Sequence, residues 1–253
     1  MASSLSGTVA LVTGASSGIG EATALALAAE GARIAIAARR RDRLEALAEK
    51  LGGAGEVLVL EADVTDEAEV ERMIALTVAQ FGRLDTLVNN AGVMLLGPIL
   101  DAPTDEWRRM VQLNLLGLLY CTHAGLPHLL QAAGGQPRQV ADVVNVSSVA
   151  GRVARQGSAV YNATKFGVGA FSESLRQEVT GRHVRVTIVE PGLVATELVG
   201  HNRPEVQQTI AAVFGAMEPL QPTDIADAVV YAVTRPRHVA LNEILVRPTM
   251  QER

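Results

Sequence analysis

Short β-rich runs alternate with longer helical patterns from one end of this chain to the other, and no other feature of the sequence narrows the possible folds as far. Apolar runs fall at residues 9–12, 33–36, 56–60, 86–88, 142–146, 184–189 and 243–246. Helical patterns lie between them, notably over 19–30, 67–81, 107–130 and 161–179. A strand, a helix and another strand make a βαβ unit, and strands that are apolar almost throughout are strands covered on both faces. The sequence therefore predicts an α/β protein in which a doubly wound, seven-stranded parallel sheet carries helices on both faces. No repeat or low-complexity linker divides the 253 residues, so one domain is expected over 1–253.

Two segments interrupt the rhythm. Residues 134–139 hold turn residues and little that is apolar, and the loop they begin, 134–141, is expected to be exposed and to lead into the fifth strand. Residues 196–222 mix weak strand signals with scattered helical ones just after the sixth strand. Open parallel sheets bind ligands outside the carboxyl ends of their strands, so this excursion is predicted to be a substrate lid.

The chain has a formal charge of −5, with acids and bases interspersed apart from Arg39, Arg40, Arg41 and Arg43. That leaves no broad footprint for nucleic acid and points to a small or locally charged ligand. The one cysteine, Cys121, excludes an internal disulfide, fits a reducing compartment and, among apolar neighbours, reads as a buried spectator. The N-terminus has no basic start, and no segment offers ~20 uninterrupted apolar residues, so a soluble, cytoplasmic protein without membrane contact is expected. No metal site is predicted.

The first strand runs into Thr13-Gly14-Ala15-Ser16-Ser17-Gly18-Ile19-Gly20 and then into a helix. Glycines there make the turn tight and let backbone N–H groups approach a pyrophosphate at the positive end of the helix, so Gly14, Ser16, Ser17, Gly18, Ile19 and Gly20 are predicted to bind a nucleotide. The second strand ends Ala37-Ala38-Arg39-Arg40. An acid at this place would take the ribose hydroxyls of NAD; a guanidinium able to fork onto a phosphate stands there instead, so Arg39, with Arg40 assisting, points to NADP(H). Solvated surface charge is the plainer reading of the same arginines. Asp63 and Val64 after the third strand, and Asn90, Ala91 and Gly92 after the fourth, stand where strand ends would meet the adenine or ribose.

Tyr161 and Lys165 are four residues apart, one helical turn, so both side chains point the same way. A free tyrosine ionises near pH ~10, and an adjacent ammonium would bring it nearer to neutral by favouring the phenolate. The same spacing also occurs as an exposed pair on ordinary amphipathic helices. Ser147 and Ser148 follow the fifth strand at the same sheet edge. Asn114 sits among leucines in a helix, where an amide needs either a catalytic reason or a backbone partner.

Taken together, these motifs resemble the short-chain dehydrogenase/reductase family, of the compact kind with a single Rossmann domain, over nearly the whole chain. The likeness rests on Thr13 to Gly20, Asp63-Val64, Asn89-Asn90-Ala91-Gly92, Asn114, a serine thirteen residues before the tyrosine, the Tyr161/Lys165 pair, and Pro191-Gly192 followed by Thr196. That spacing selects Ser148 over Ser147. The resemblance implies that Ser148 and Tyr161 hydrogen-bond a carbonyl oxygen, that hydride passes from the nicotinamide to carbon, and that Tyr161 delivers the proton, with oxidation the reverse. It implies further that Lys165 lowers the tyrosine pKa and holds the nicotinamide ribose, that Asn114 anchors a water linked to Lys165, and that Pro191, Gly192 and Thr196 hold the nicotinamide end. Homotetramers are usual in the family and are expected here.

The ending from Asn242 to Thr249 lacks the Val-Asp-Gly-Gly run of many members. With Ala37 to Arg40 and Val93 to Pro98, it is similar to the NADP-dependent branch of clavulanate-aldehyde reductase and 3-hydroxy acid or serine dehydrogenases, the clavulanate-aldehyde reductase type above all. Many NADP-preferring relatives carry a lysine or arginine where this chain has Ser17. The expected activity is an NADPH-dependent, reversible reduction of a small aldehyde or ketone, with oxidation of a 3-hydroxy acid or β-hydroxy amino acid as the second reading. Met94, Leu95 and Leu96 are predicted to form an apolar substrate wall, and Arg152 and Arg155 to meet a substrate carboxylate or to lie on the surface. A nucleotide-sensing protein without catalysis would be expected to have lost Tyr161, Lys165 or Ser148, and all three are present.

Overall fold

Seven strands pair in the order β3-β2-β1-β4-β5-β6-β7, all parallel. They are β1 (Val9–Thr13), β2 (Arg33–Ala38), β3 (Val57–Glu61), β4 (Thr86–Asn89), β5 (Ala141–Val146), β6 (Val184–Pro191) and β7 (Glu243–Val246). The computed structural model describes residues 4–52 and 55–252. Every residue of β1, β4, β5 and β6 is buried, as their apolar composition requires of strands covered on both faces, whereas β7 at the edge alternates exposed and half-buried.

The helices are α1 (Gly18–Ala29), α2 (Arg41–Lys50), α3 (Glu67–Phe81), α4 (Thr104–Val111), α5 (Gly117–Ala133), α6 (Ala159–Val179), α7 (Pro204–Phe214) and α8 (Pro222–Val233). Successive strand side chains point to opposite faces, so the sheet has two cores. On one face Leu11, Leu87 and Val143 pack with Met73 of α3, Leu129 of α5 and Leu175 of α6. On the other, Val12, Val88 and Val144 pack with Leu27 of α1, Leu44 of α2 and Val229 of α8. The outcome is the doubly wound, Rossmann-like sheet that the alternation predicts. The predicted helix over 107–130 is broken by a π-helical turn, Gln112–Leu116, between α4 and α5.

The segment 134–141 is not simply an exposed loop. Arg138 is largely buried and donates to Asp142 and to the Val233 carbonyl, while Arg83 donates to the Gln136 carbonyl. These anchors lie at the start of β5, the opposite end of that strand from Ser147 and Ser148. The excursion after β6 is a 3-10 turn, Glu197–His201, followed by α7, and is closed by a bridge between Val194 and Leu220. No described helix is long and apolar enough to cross a membrane.

Candidate active site

The chain leaves β1 through two glycines in the left-handed region, Gly14 at φ +65° and Gly18 at φ +58°. A Cβ on Gly14 would stand 2.8 Å from the Ala91 Cα, and one on Gly18 would stand 3.1 Å from Thr196 Cγ2. Side chains are therefore excluded at these two positions, and their backbone is left facing a cavity of about 570 Å³ at the carboxyl ends of the strands. Asn90 braces the turn from β4, its Nδ2 donating to the carbonyls of Thr13 at 2.9 Å and Gly14 at 3.2 Å. Gly14, Ser16, Ser17, Gly18 and Ile19 all line the cavity, a cradle that fits a dinucleotide pyrophosphate at the start of α1. Gly20 does not line it: a Cβ there would run into the Gly14 carbonyl, so this glycine permits close packing instead of meeting a ligand.

Farther along the cavity, Asp63, Val64, Arg39 and Arg40 form the wall beside β2 and β3. Arg39 reaches Asp63 only at 3.7 Å and is 62% exposed. Arg40 is more closely held. Its Nε and Nη2 donate to Ser16 Oγ, and Nη2 also donates to Ser17 Oγ at 2.8 Å. The positive charge missing from the sequence at Ser17 is thus delivered by Arg40 from the next strand end.

At the other end, Ser148, Tyr161 and Lys165 share the cavity with Pro191, Gly192 and Thr196. Ser148 follows β5 in extended backbone, its Oγ accepting from the Ala150 N–H at 3.1 Å and donating to the Pro191 carbonyl at 3.4 Å. Burial pushes the Tyr161 phenol up to about 12, against a smaller opposite pull from its hydrogen bond with Ser148. Burial also brings Lys165 down to about 8. The net shift of the tyrosine is therefore upward, where the resemblance implies a lowering by Lys165: desolvation dominates, and the ammonium donates to the Val146 carbonyl at 2.9 Å.

Asn114 lies in the π-helical turn and does not line the cavity. Its Oδ1 accepts from the Val93 N–H and its Nδ2 donates to the Val93 carbonyl, both at 2.8 Å, and to Thr164 Oγ1 at 3.3 Å. The amide thus clamps the segment after β4 to α6, the backbone-partner reading of the sequence. Two substrate residues need correction. Met94 and Leu96 line the cavity, but Leu95 turns away and is buried with Val93, Met110 and Tyr161. Arg152 lies outside the cavity because Glu190 and Glu243 hold its guanidinium, whereas Arg155 lines it.

Among the lining residues that the sequence reading misses, three make hydrogen bonds that shape the site. Asn162, beside Tyr161, donates to the carbonyls of Ala150 and Val153 and accepts from Arg155 N–H, pinning the loop after Ser148. Gln251 comes from the tail beyond β7 and accepts from the Leu193 N–H at 2.8 Å. Glu197 follows Thr196 and bonds Arg40 and Arg43. The position next to Tyr161 is a usable signal for Asn162; the other two depend on tertiary placement alone.

The model of the short chain dehydrogenase family matches residues 8–207. The chain belongs to the short-chain dehydrogenase family. A glycine betaine reductase from Emericella nidulans is 44% identical over 96% of this chain, which spans 19% of that longer protein. An uncharacterized oxidoreductase from Staphylococcus saprophyticus is 39% identical over 96% of both chains. Among solved structures, the closed form of a serine dehydrogenase complexed with NADP+ superposes with a TM-score of 0.89 at 33% identity, covering 97% of each chain. This short-chain dehydrogenase is accordingly an oxidoreductase, and its fold is that of its structural relative.

Proposed function

We propose that this short-chain dehydrogenase is an NADPH-dependent carbonyl reductase that converts a small aldehyde or ketone to the alcohol and runs reversibly. The observation that carries the reading is one cavity joining the Ser148, Tyr161 and Lys165 side chains at one end to the glycine-rich turn and Arg40 at the other. NADP in the serine dehydrogenase relative supports the choice of cofactor. Gly14 to Ile19 would hold the pyrophosphate, Asp63 with Asn90, Ala91 and Gly92 the adenosine, and Pro191, Gly192 and Thr196 the nicotinamide end, with Arg39 and Arg40 on the 2′-phosphate. When bound, the dinucleotide supplies the hydride.

The chain's own part is orientation and proton delivery. Ser148 and Tyr161 donate hydrogen bonds to the carbonyl oxygen and polarise it. The raised pKa of Tyr161 keeps its proton on the phenol at neutral pH, so it is poised as the general acid for reduction. Lys165, still charged at neutral pH, stabilises the phenolate left behind, and Asn114 keeps α6 in register through Val93 and Thr164. Met94 and Leu96 give the substrate an apolar wall, and the excursion 196–222 acts as its lid.

Arg155 on the cavity wall favours a second reading, oxidation of a 3-hydroxy acid or β-hydroxy amino acid with the carboxylate toward that guanidinium. We infer a homotetramer in the cytoplasm, assembled through α4 and α6. The deciding assay is NADPH consumption with aldehydes, ketones and semialdehydes, alongside NADP reduction by 3-hydroxy acids, with Tyr161→Phe as control. A loss of at least ~100-fold in kcat with cofactor binding retained is expected of that variant, and near-normal turnover would sink the assignment.

A further inference from the structure

Glu197 opens the 3-10 turn that begins the excursion after β6, yet both of its carboxylate oxygens are committed to arginines of α2 and its N-cap. Oε2 accepts from Arg40 Nη1 at 2.9 Å, and Oε1 accepts from Arg43. These bonds, Arg43 first and then Arg40, hold the carboxyl down to about 2, so it is ionised throughout the neutral range. Arg40 is the guanidinium that also donates to Ser16 and Ser17 in the glycine-rich turn. Its N–H groups on the cavity side are thus divided between two serine hydroxyls and an anion brought from 157 residues further along the chain.

We propose that Glu197 is a cofactor-specificity residue, an internal anion that competes with the 2′-phosphate for Arg40. This rests on the NADP reading above and adds to it a residue that opposes the preference. A phosphate that engages Arg40 gains charge-assisted hydrogen bonds, but it must displace a carboxylate that makes bonds of the same kind. The preference for a phosphate over a hydroxyl is the difference between the two, so it is smaller than Arg40 alone would give. A dinucleotide without the phosphate leaves the Glu197 contacts intact and is indifferent to them. Because Glu197 lies at the start of the segment 196–222, just after Thr196, the same exchange releases a tether between that segment and the adenosine side of the cavity.

The test is calorimetric binding of NADPH, NADH, 2′,5′-ADP and 5′-AMP to wild type and Glu197→Gln. The variant is expected to bind NADPH and 2′,5′-ADP about tenfold more tightly, with NADH and 5′-AMP changed by less than about twofold. The two adenosine fragments read the phosphate contact with no contribution from the nicotinamide end. Equal gains for phosphorylated and unphosphorylated probes, or weaker NADPH binding, would overturn the proposal. A wild type that binds NADPH no better than NADH would overturn the cofactor reading and this inference with it. A wild type that discriminates, with the same ratio in Glu197→Gln, would overturn the inference and leave the cofactor reading standing.

Discussion

Lys165 Nζ lies 5.8 Å from the centroid of the Tyr161 ring while it donates to the Val146 carbonyl, so the ammonium is fastened to the end of β5 and faces the phenol from there. The anchor fixes the charge beside the Tyr161 ring, and it does so inside a site that burial makes unfavourable for charge of either sign.

That conflict sets the pH dependence. With Lys165 near 8 and Tyr161 near 12, both groups keep their protons at neutral pH, the state that the proposed reduction would require. Above about 8 Lys165 discharges, and a phenolate formed by proton delivery loses its stabilising partner. The kcat/KM for reduction is expected to be level below that point and to fall above it, while alcohol oxidation, which needs the phenolate, rises with pH. A reduction profile still level at pH ~10 would remove Lys165 from the chemistry.

The same shift has a consequence for stability. The folded pKa of Lys165, about 8, lies below the unfolded 10.5, so the unfolded chain binds more protons between those values and stability rises with pH across that window. At neutral pH the buried ammonium opposes folding by roughly 3 kcal/mol, partly offset by its bond to Val146. Lys165→Met should therefore raise the melting temperature by about 2–8 °C while turnover is lost. Thermal melts followed by circular dichroism check this, and a lowered melting temperature would contradict it.

What could be read from the sequence follows from how local the cause is. The strands were legible because each is a short apolar run bounded by turns, and the cofactor turn because Gly14 and Gly18 must adopt positive φ within a few residues of β1. The apolar wall after β4 was half legible: the chain there is irregular, and only packing decides that Leu96 faces the cavity while Leu95 joins Met110. Arg185 falls within an otherwise largely apolar run of the sequence, 184–189. It is buried in β6 because Asp142 of β5 and four carbonyls from 233–239 surround its guanidinium, partners that no local pattern announces.

Asp142 accepts from both Arg185 and Arg138 with its carboxylate almost wholly buried, and so joins β5, β6 and the 134–141 loop. Asp142→Asn leaves two buried guanidiniums undercompensated, at a cost of about 3–5 kcal/mol. Denaturant unfolding should show that loss with kcat unchanged in the molecules that remain folded, since the network lies at the opposite end of β5 from Ser148. A comparable fall in kcat would place this network in the active site's support.

The sequence places the main 2′-phosphate contact on Arg39 with Arg40 assisting, but only Arg40 rests on the glycine-rich turn, while Arg39 reaches Asp63 instead. Arg40→Gln is expected to weaken NADPH binding by roughly 10- to 100-fold and Arg39→Gln by several-fold at most, with NADH little changed in either. The reverse order in titration calorimetry would return the main role to Arg39.

Phe166 on α6 and Val111 on α4 are 45% and 38% exposed, an unusual place for a phenylalanine on a helix that also carries the buried Tyr161 and Lys165. A two-fold arrangement that pairs these helices would cover both. Light scattering at micromolar protein should report a tetramer, and Phe166→Glu should shift it to dimer or monomer. A wild type that runs as a monomer would refute this assembly.

Gln251 closes the end of the cavity lined by Pro191 and Gly192: its Oε1 accepts from the Leu193 N–H, and a Cβ on Gly192 would have no room beside it. The Pro191-Gly192-Leu193 turn is thereby held from behind, with the Gly192 N–H donating to the Val246 carbonyl at 2.7 Å. Gln251→Ala leaves the Leu193 N–H without its acceptor, a cost of about 1–3 kcal/mol that falls on the turn and not on either core. The expected result is a five- to hundredfold rise in the KM for NADPH, about the ratio that energy implies, with a melting temperature within a few degrees of wild type. Gln251→Glu keeps an acceptor oxygen at the same place and should recover most of the loss. If both variants bind NADPH like the wild type, the tail supports the fold alone and has no part in holding the cofactor.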